Sequence, residues 1–151
     1  MPLRPDIVVT KPDSPDVLLV VELKTGGGPP EDLEEQLKGY MAHSGCPAGM
    51  LVTLDVTRFF RNRYTGYGTE SVEIVGECPT SDLFGDFPER VPQRGSFLEE
   101  RVERWLENLQ QGTTQSWPSA VREAVESGVL PAVLGGVIRA GGPRWLRRTG
   151  S

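Results

Sequence analysis

The chain has 151 residues, a formal net charge of −5, 37% hydrophobic residues and 25% charged residues. These values fit one globular domain with or without an appendage, and they argue against a protein that coats nucleic acid with a uniformly basic surface. Cys46 and Cys78 match no metal-ligand spacing and no disulfide framework. We therefore expect a cytoplasmic protein that makes no membrane contact.

The first half of the chain alternates strand and helix patterns. Two apolar runs, Ile7–Val9 and Val17–Leu23, predict strands that pair as a hairpin across a proline-containing turn. A helix is predicted over Glu31–His43, with a stripe of apolar residues at helical spacing formed by Leu33, Leu37, Tyr40 and Met41. Further strands are predicted at Met50–Leu54, Val56–Phe60 and, at a sheet edge, Ser71–Val75.

The second half of the chain has a different character. Residues 79–95 are rich in proline, glycine and acidic residues and predict a linker. Residues 96–141 predict a helical appendage, which includes helices over Trp117–Glu126 and Val129–Arg139, and residues 142–151 predict a flexible tail. We therefore expect an α/β or α+β fold, with a mixed-sheet core in residues 1–78 and a mainly helical remainder.

Three residues at the predicted hairpin can carry chemistry. Asp6 precedes the first strand, while Glu22 and Lys24 lie two apart at the end of the second and so share a face. The hairpin brings Asp6 to Glu22. Two carboxylates and a backbone carbonyl, that of Leu23, are hard oxygen ligands suited to Mg²⁺, for which Mn²⁺ can substitute. Lys24 can then orient the attacking water and offset charge in the transition state.

Pro5-Asp6 followed by Glu22-Leu23-Lys24 resembles the signature of the PD-(D/E)xK nuclease superfamily. The next helix carries Gln36 and Tyr40, spaced as in the QxxxY motif of the RecB-like and type I restriction subunit branch. The resemblance covers about residues 3–75. It implies a restriction-endonuclease-like fold, a magnesium-dependent endonuclease acting on DNA, and a role for Gln36 and Tyr40 beside the catalytic trio.

The sequence departs from that family at its start. The family core usually opens with a helix and a strand before the Pro-Asp strand, and Asp6 comes too early for both. The core is thus expected to lack the usual opening helix. One edge of the sheet would then be open, which predicts a homodimer.

Simpler readings of the same residues remain open. Asp6 can close a turn, and Glu22 with Lys24 can form an exposed ion pair at a strand end. Gln36 can be a solvated helix residue, and Tyr40 can belong to the core. His43 is the single histidine, so neither a zinc site nor a serine or cysteine nucleophile with a histidine base is expected.

A local segment of basic and aromatic residues could contact nucleic acid although the net charge of the chain is negative. Arg58, Arg61, Arg63 and Tyr64 combine cations with an aromatic ring, which can hold phosphates and stack bases. The simpler reading is an exposed strand with extended arginine side chains.

Two functional hypotheses follow. The first is a metal-dependent endonuclease that hydrolyses phosphodiester bonds in DNA. The second is a catalytically silent dimer of the same fold that acts as a DNA-binding or scaffold subunit. The acidic charge favours the second hypothesis and the intact trio favours the first.

Overall fold

A mixed sheet of six strands forms the centre of the computed structural model, which describes residues 5–25, 31–66, 68–86, 94–112 and 116–140. The strand order is β5-β4-β3-β2-β1-β6, and every neighbouring pair is antiparallel except the parallel pair β2 and β3. The strands are β1 Ile7–Thr10, β2 Val17–Lys24, β3 Ala48–Thr53, β4 Val56–Asn62, β5 Val72–Pro79 and β6 Val137–Ala140. The fold is therefore of the α+β class, as the sequence predicts.

Helical segments lie on both faces of this sheet. They are α1 Glu31–Ser44, a 3₁₀ turn Thr69–Ser71, α2 Thr80–Phe84, α3 Arg94–Gln110, α4 Ser119–Ala124, a π-helical turn Val125–Val129 and α5 Leu130–Leu134. None of the helices in the described ranges is both long enough and apolar enough to cross a membrane.

Helix α1 is the crossover that joins the two parallel strands, since such strands cannot be linked by a tight turn. It packs on one face of the sheet through Leu37 and Met41, which are fully buried with Val20 and Leu51. Leu33 and Tyr40 are partly buried against the same cluster. The predicted apolar stripe of this helix is thus confirmed.

The opposite face of the sheet is covered by α2 to α5. Its core joins Val21 and Met50 of the sheet to Leu106 of α3 and Val133 of α5, all fully buried. The C-terminal helices therefore share one hydrophobic core with the strands. Short helix α2 lies inside the segment expected to be a linker, of which residues 87–93 fall outside the described ranges.

Helix α4 continues through the π-helical turn into α5, because the dihedral angles stay right-handed helical at Ala124, Val125 and Val129. Proline causes this irregularity. Pro131 has no N–H to donate to the Ser127 carbonyl and its ring crowds that carbonyl, so a regular α pattern cannot run through.

The hairpin, the first helix and the edge position of β5 are confirmed. The helix predicted over Val129–Arg139 is wrong beyond Leu134, where the chain turns and pairs β6 with β1. A side chain at Gly136 would meet Val9 Cγ1 at 2.6 Å, so glycine lets the chain pass against β1. The tail predicted at residues 142–151 lies outside the described residues.

Candidate functional site

Asp6 and Glu22 lie side by side at the end of β2. Ile7 is opposite Val21 in the antiparallel register, so one further step places Asp6 opposite Glu22. Asp6 is 7% exposed and Glu22 is 5% exposed. The Leu23 N–H donates to Asp6 Oδ2 over 2.9 Å, and the two carboxyl groups are hydrogen-bonded to each other. The structure thus brings together the two predicted acids, as a buried pair.

The pair has a distinctive electrostatic character. Burial first, and then the hydrogen bond to Asp6 and the charge of Asp6, raise the pKa of Glu22 to about 9. A hydrogen bond between two carboxyl groups needs a proton, which Glu22 therefore holds at neutral pH. Displaced pKa values of this kind are typical of functional sites.

Lys24 follows Glu22 on the same face of β2, with its side chain partly exposed. Its neighbour in the parallel register is Thr53 of β3. The Lys24 ammonium group therefore lies at the C-terminal end of β2, on the sheet face that carries Glu22. Asp6, Glu22 and Lys24 thus lie near the C-terminal end of β2, an interior strand of the sheet.

The donor set fits a hard divalent cation. Two adjacent carboxyl oxygens are what Mg²⁺ commonly takes from a protein, with water and substrate phosphate as further ligands. A cation there would replace the proton that the pair now shares. Leu23, whose backbone carbonyl is the third predicted metal ligand, contacts Asp6 through its backbone N–H. Within the described ranges no group of three or more His, Cys, Asp or Glu side chains is placed to hold a metal.

Gln36 and Tyr40 differ in their surroundings. Gln36 is exposed on α1. Tyr40 lies one turn farther along, packed against the core on the α1 side. Burial, and to a lesser degree the nearby thiol of Cys46, raise the pKa of its hydroxyl. Tyr40 thus combines a core position with a place on the site-bearing face.

Arg58 lies in the same row of side chains across the sheet as Glu22. Glu22 is opposite Leu51, Leu51 is opposite Arg58, and Arg58 is opposite Glu77. Side chains directly opposite one another point to the same face, so Arg58 lies on the face of Glu22, two strands or about 10 Å away. Its guanidinium donates to Glu34 over 2.8 Å and to Glu77 over 2.6 Å.

The other residues of the predicted nucleic-acid segment lie elsewhere. Arg61 and Arg63 both donate to Glu73, over 3.1 Å and 2.6 Å. Arg61 also lines a cavity beside α4 and α5, on the face opposite to α1. Tyr64, 61% exposed, borders the same cavity. The segment is therefore split between the two faces of the sheet.

Glu34 is a neighbour of the site that sequence reasoning did not identify. It lies on α1, accepts from Arg58, and forms an ion pair with Lys38 at 3.4 Å. Its i,i+4 spacing to Lys38 was readable in the sequence. Its contact with Arg58 depends on how α1 lies across β4, which no local pattern reveals.

Comparison of the chain with models of protein families, with curated proteins and with solved structures gives no match.

Proposed function

We propose that the protein is a magnesium-dependent nuclease that hydrolyses phosphodiester bonds in DNA. The observation that carries this proposal is the buried, proton-sharing pair of Asp6 and Glu22 beside Lys24. Burying two like carboxyl groups costs stability, so their pairing points to a role in binding or catalysis. The resemblance to PD-(D/E)xK nucleases supports the same chemistry.

Asp6 and Glu22 are the proposed ligands of the metal. When bound, Mg²⁺ supplies a Lewis acid that polarises a phosphoryl oxygen and acidifies a water molecule. Hydrolysis joins the water oxygen to phosphorus, breaks the bond to the leaving sugar oxygen, and protonates that oxygen. Lys24 orients the water and offsets negative charge on the phosphate as the bond breaks.

Arg58 and Gln36 are the proposed substrate contacts of this face. Arg58 keeps its guanidinium fixed between Glu34 and Glu77, on the row of residues that includes Glu22. A fixed guanidinium can hold a backbone phosphate near the reacting bond. Exposed Gln36 lies on the helix that flanks the same face.

The second candidate is a catalytically silent dimer that binds DNA as a subunit of a larger assembly. One observation favours it: Arg58, Arg61 and Arg63 are each ion-paired to a glutamate of the same chain, which lowers their net attraction for phosphate. For either candidate we propose the cytoplasm, where the buried free thiols of Cys46 and Cys78 stay reduced.

The test is cleavage of supercoiled plasmid and of circular single-stranded DNA with Mg²⁺, Mn²⁺ or a chelator. We expect metal-dependent cleavage that falls about a hundredfold or more in Lys24→Ala. Lys11→Ala is the matched control, because Lys11 is an exposed lysine at the far end of the hairpin, ion-paired to Asp16. Cleavage that is absent, or equal in the two variants, would favour the silent dimer.

A melting experiment tests the metal site separately. At about ten times its dissociation constant, Mg²⁺ should stabilise the chain by about 1.4 kcal/mol, or roughly 4 °C in melting temperature. Asp6→Asn should abolish the shift, and Asp13→Asn in the hairpin turn should keep it. A shift of equal size in Asp6→Asn would place the metal elsewhere.

A further inference from the structure

A cavity of about 480 Å³ lies at the end of the sheet opposite to the carboxyl pair, between the strands and the α4–α5 segment. Its volume is within the range of small-molecule sites. Its floor is apolar and its rim is polar, as in most such sites. Its lining includes Leu18, Val75, Arg61, Tyr64, Glu123 and Gly128.

Two β-bulges turn apolar side chains into this cavity. Val9 pairs with Leu19 and Thr10 with Val17, so the register skips Leu18. Phe59 pairs with Gly76 and Phe60 with Ile74, so it skips Val75. Both skipped residues pack on the helical side of the sheet and line the cavity. Bulges often redirect side chains at functional sites.

The facing wall and the mouth of the cavity are also irregular. The π-helical turn, which Pro131 favours, contributes Ser127 and Gly128 to the wall. Turns of this kind are rare, and many of those known lie at functional sites. At the mouth, Tyr64 has φ of 57°, a left-handed conformation that is uncommon for a tyrosine. Its strain is an independent sign that the ring position matters.

Tyr64 is held in place at both ends. Its backbone N–H donates to Asn62 Oδ1 over 2.9 Å, and its hydroxyl donates to the Gly45 carbonyl over 3.3 Å. Asn62 is itself buried and donates to the carbonyls of Met41 and Cys46. The result is a fixed aromatic ring, 61% exposed, at the edge of an apolar cavity.

The charges at the rim have a defined order. Arg61 lines the cavity, and Arg61 and the nearby Arg63 share the single carboxylate of Glu73, which leaves one net positive charge on that side. Glu123 and Ser127 lie on the α4 and π-turn wall. A fitting ligand therefore has a flat apolar body, an anionic group at the arginines and a hydrogen-bond donor toward Glu123.

We propose that this cavity binds a nucleoside monophosphate whose base carries an amino group. The base enters the apolar floor and stacks on Tyr64, the phosphate pairs with Arg61, and the amino group donates to Glu123. The site lies on the opposite sheet face and at the opposite end of β2 from the carboxyl pair. The proposal goes beyond the nuclease function and needs no metal.

The test is calorimetric titration of the full chain with AMP in the presence of a chelator, which keeps it separate from the metal site. We expect a dissociation constant below about 1 mM, and about tenfold weaker binding in Tyr64→Ala and in Arg61→Ala. Arg104→Ala is the matched control, because Arg104 is an exposed arginine ion-paired to Glu100 on α3. Adenosine and UMP should each bind about tenfold more weakly than AMP.

Gly128→Leu tests the location of the site. A Cβ at Gly128 would lie 3.6 Å from Ala48 Cβ, an ordinary van der Waals distance, and Gly128 lines the cavity, so a leucine there should extend into it. We expect an unchanged circular dichroism spectrum and melting temperature together with loss of AMP binding. Failure of AMP to bind, binding that survives Gly128→Leu in a folded variant, or equal binding of AMP and adenosine would each overturn the proposal. If Gly128→Leu does not fold, equal affinities of Arg61→Ala and Arg104→Ala would overturn it.

Discussion

Two buried polar groups at opposite ends of the sheet differ in charge and in how their hydrogen-bonding groups are paired. Around Asn62 the side-chain amide donates to two carbonyls and accepts from the Tyr64 N–H and the Ser71 hydroxyl. All its hydrogen-bonding capacity is used, and no charge is involved. At the other end, Asp6 and Glu22 place two acids together and must share a proton.

The difference separates residues that stabilise the fold from residues that cost stability. A buried neutral network stabilises one conformation when all its members are paired. Removing one member leaves the others without hydrogen-bond partners. A buried pair of acids is unfavourable in the ionised state and is explained by what it binds. Mutations at the two ends should therefore change stability in opposite directions.

The largest expected effect is at Asn62. Asn62→Ala removes the hydrogen bonds to the Cys46 carbonyl, the Tyr64 N–H and the Ser71 hydroxyl. It should lower the free energy of unfolding by about 3 kcal/mol. Urea unfolding measures this loss. Asn108→Ala, on the partly exposed side of α3, is the control and should change stability by less than about 0.5 kcal/mol. A loss below about 1 kcal/mol at Asn62 would contradict the comparison.

Glu22→Gln should act in the opposite direction. Between pH 4.5 and about 9 the folded protein keeps the Glu22 proton while the unfolded chain releases it, so stability falls as pH rises through this window. The slope is at most about 1.4 kcal/mol per pH unit. Glutamine keeps a hydrogen-bond donor to Asp6 without ionising. Without metal at about pH 8, we expect it to raise stability by about 2 kcal/mol, less than the full slope gives because a charged pair relaxes and admits water.

The measurement is urea unfolding of both proteins at several pH values with a chelator present. Wild type should lose stability across the window and Glu22→Gln should lose less. Glu35→Gln, at an exposed site on α1, should follow wild type. Parallel curves for wild type and Glu22→Gln would show that Glu22 ionises normally and that the two ends of the sheet do not differ in the proposed way.

The same contrast explains what the sequence could predict. The hairpin and α1 follow from local patterns, a continuous apolar run in Val17–Leu23 and a helical stripe over Glu31–His43, and one register step then sets Asp6 against Glu22. The Asn62 network could not be predicted, because its partners come from α1, the loop between α1 and β3, the segment after β4 and the 3₁₀ turn. The end of α5 was also unpredictable, since Val137–Ala140 becomes a strand by pairing with β1, far away in the sequence.

Arg58 gives the smallest and most salt-sensitive effect. It is partly exposed and bridges Glu34 and Glu77, so Arg58→Ala should lower the free energy of unfolding by about 1 kcal/mol at low salt and by less at high salt. Urea unfolding at two salt concentrations measures both values, with Arg104→Ala as the exposed control. The loss in Arg58→Ala should exceed that in Arg104→Ala, because two ion pairs are removed instead of one, although Glu34 keeps its pair with Lys38. Equal losses in the two variants would mean that Arg58 is no better fixed than a surface arginine, and its proposed role of holding a phosphate near Glu22 would lose its structural basis.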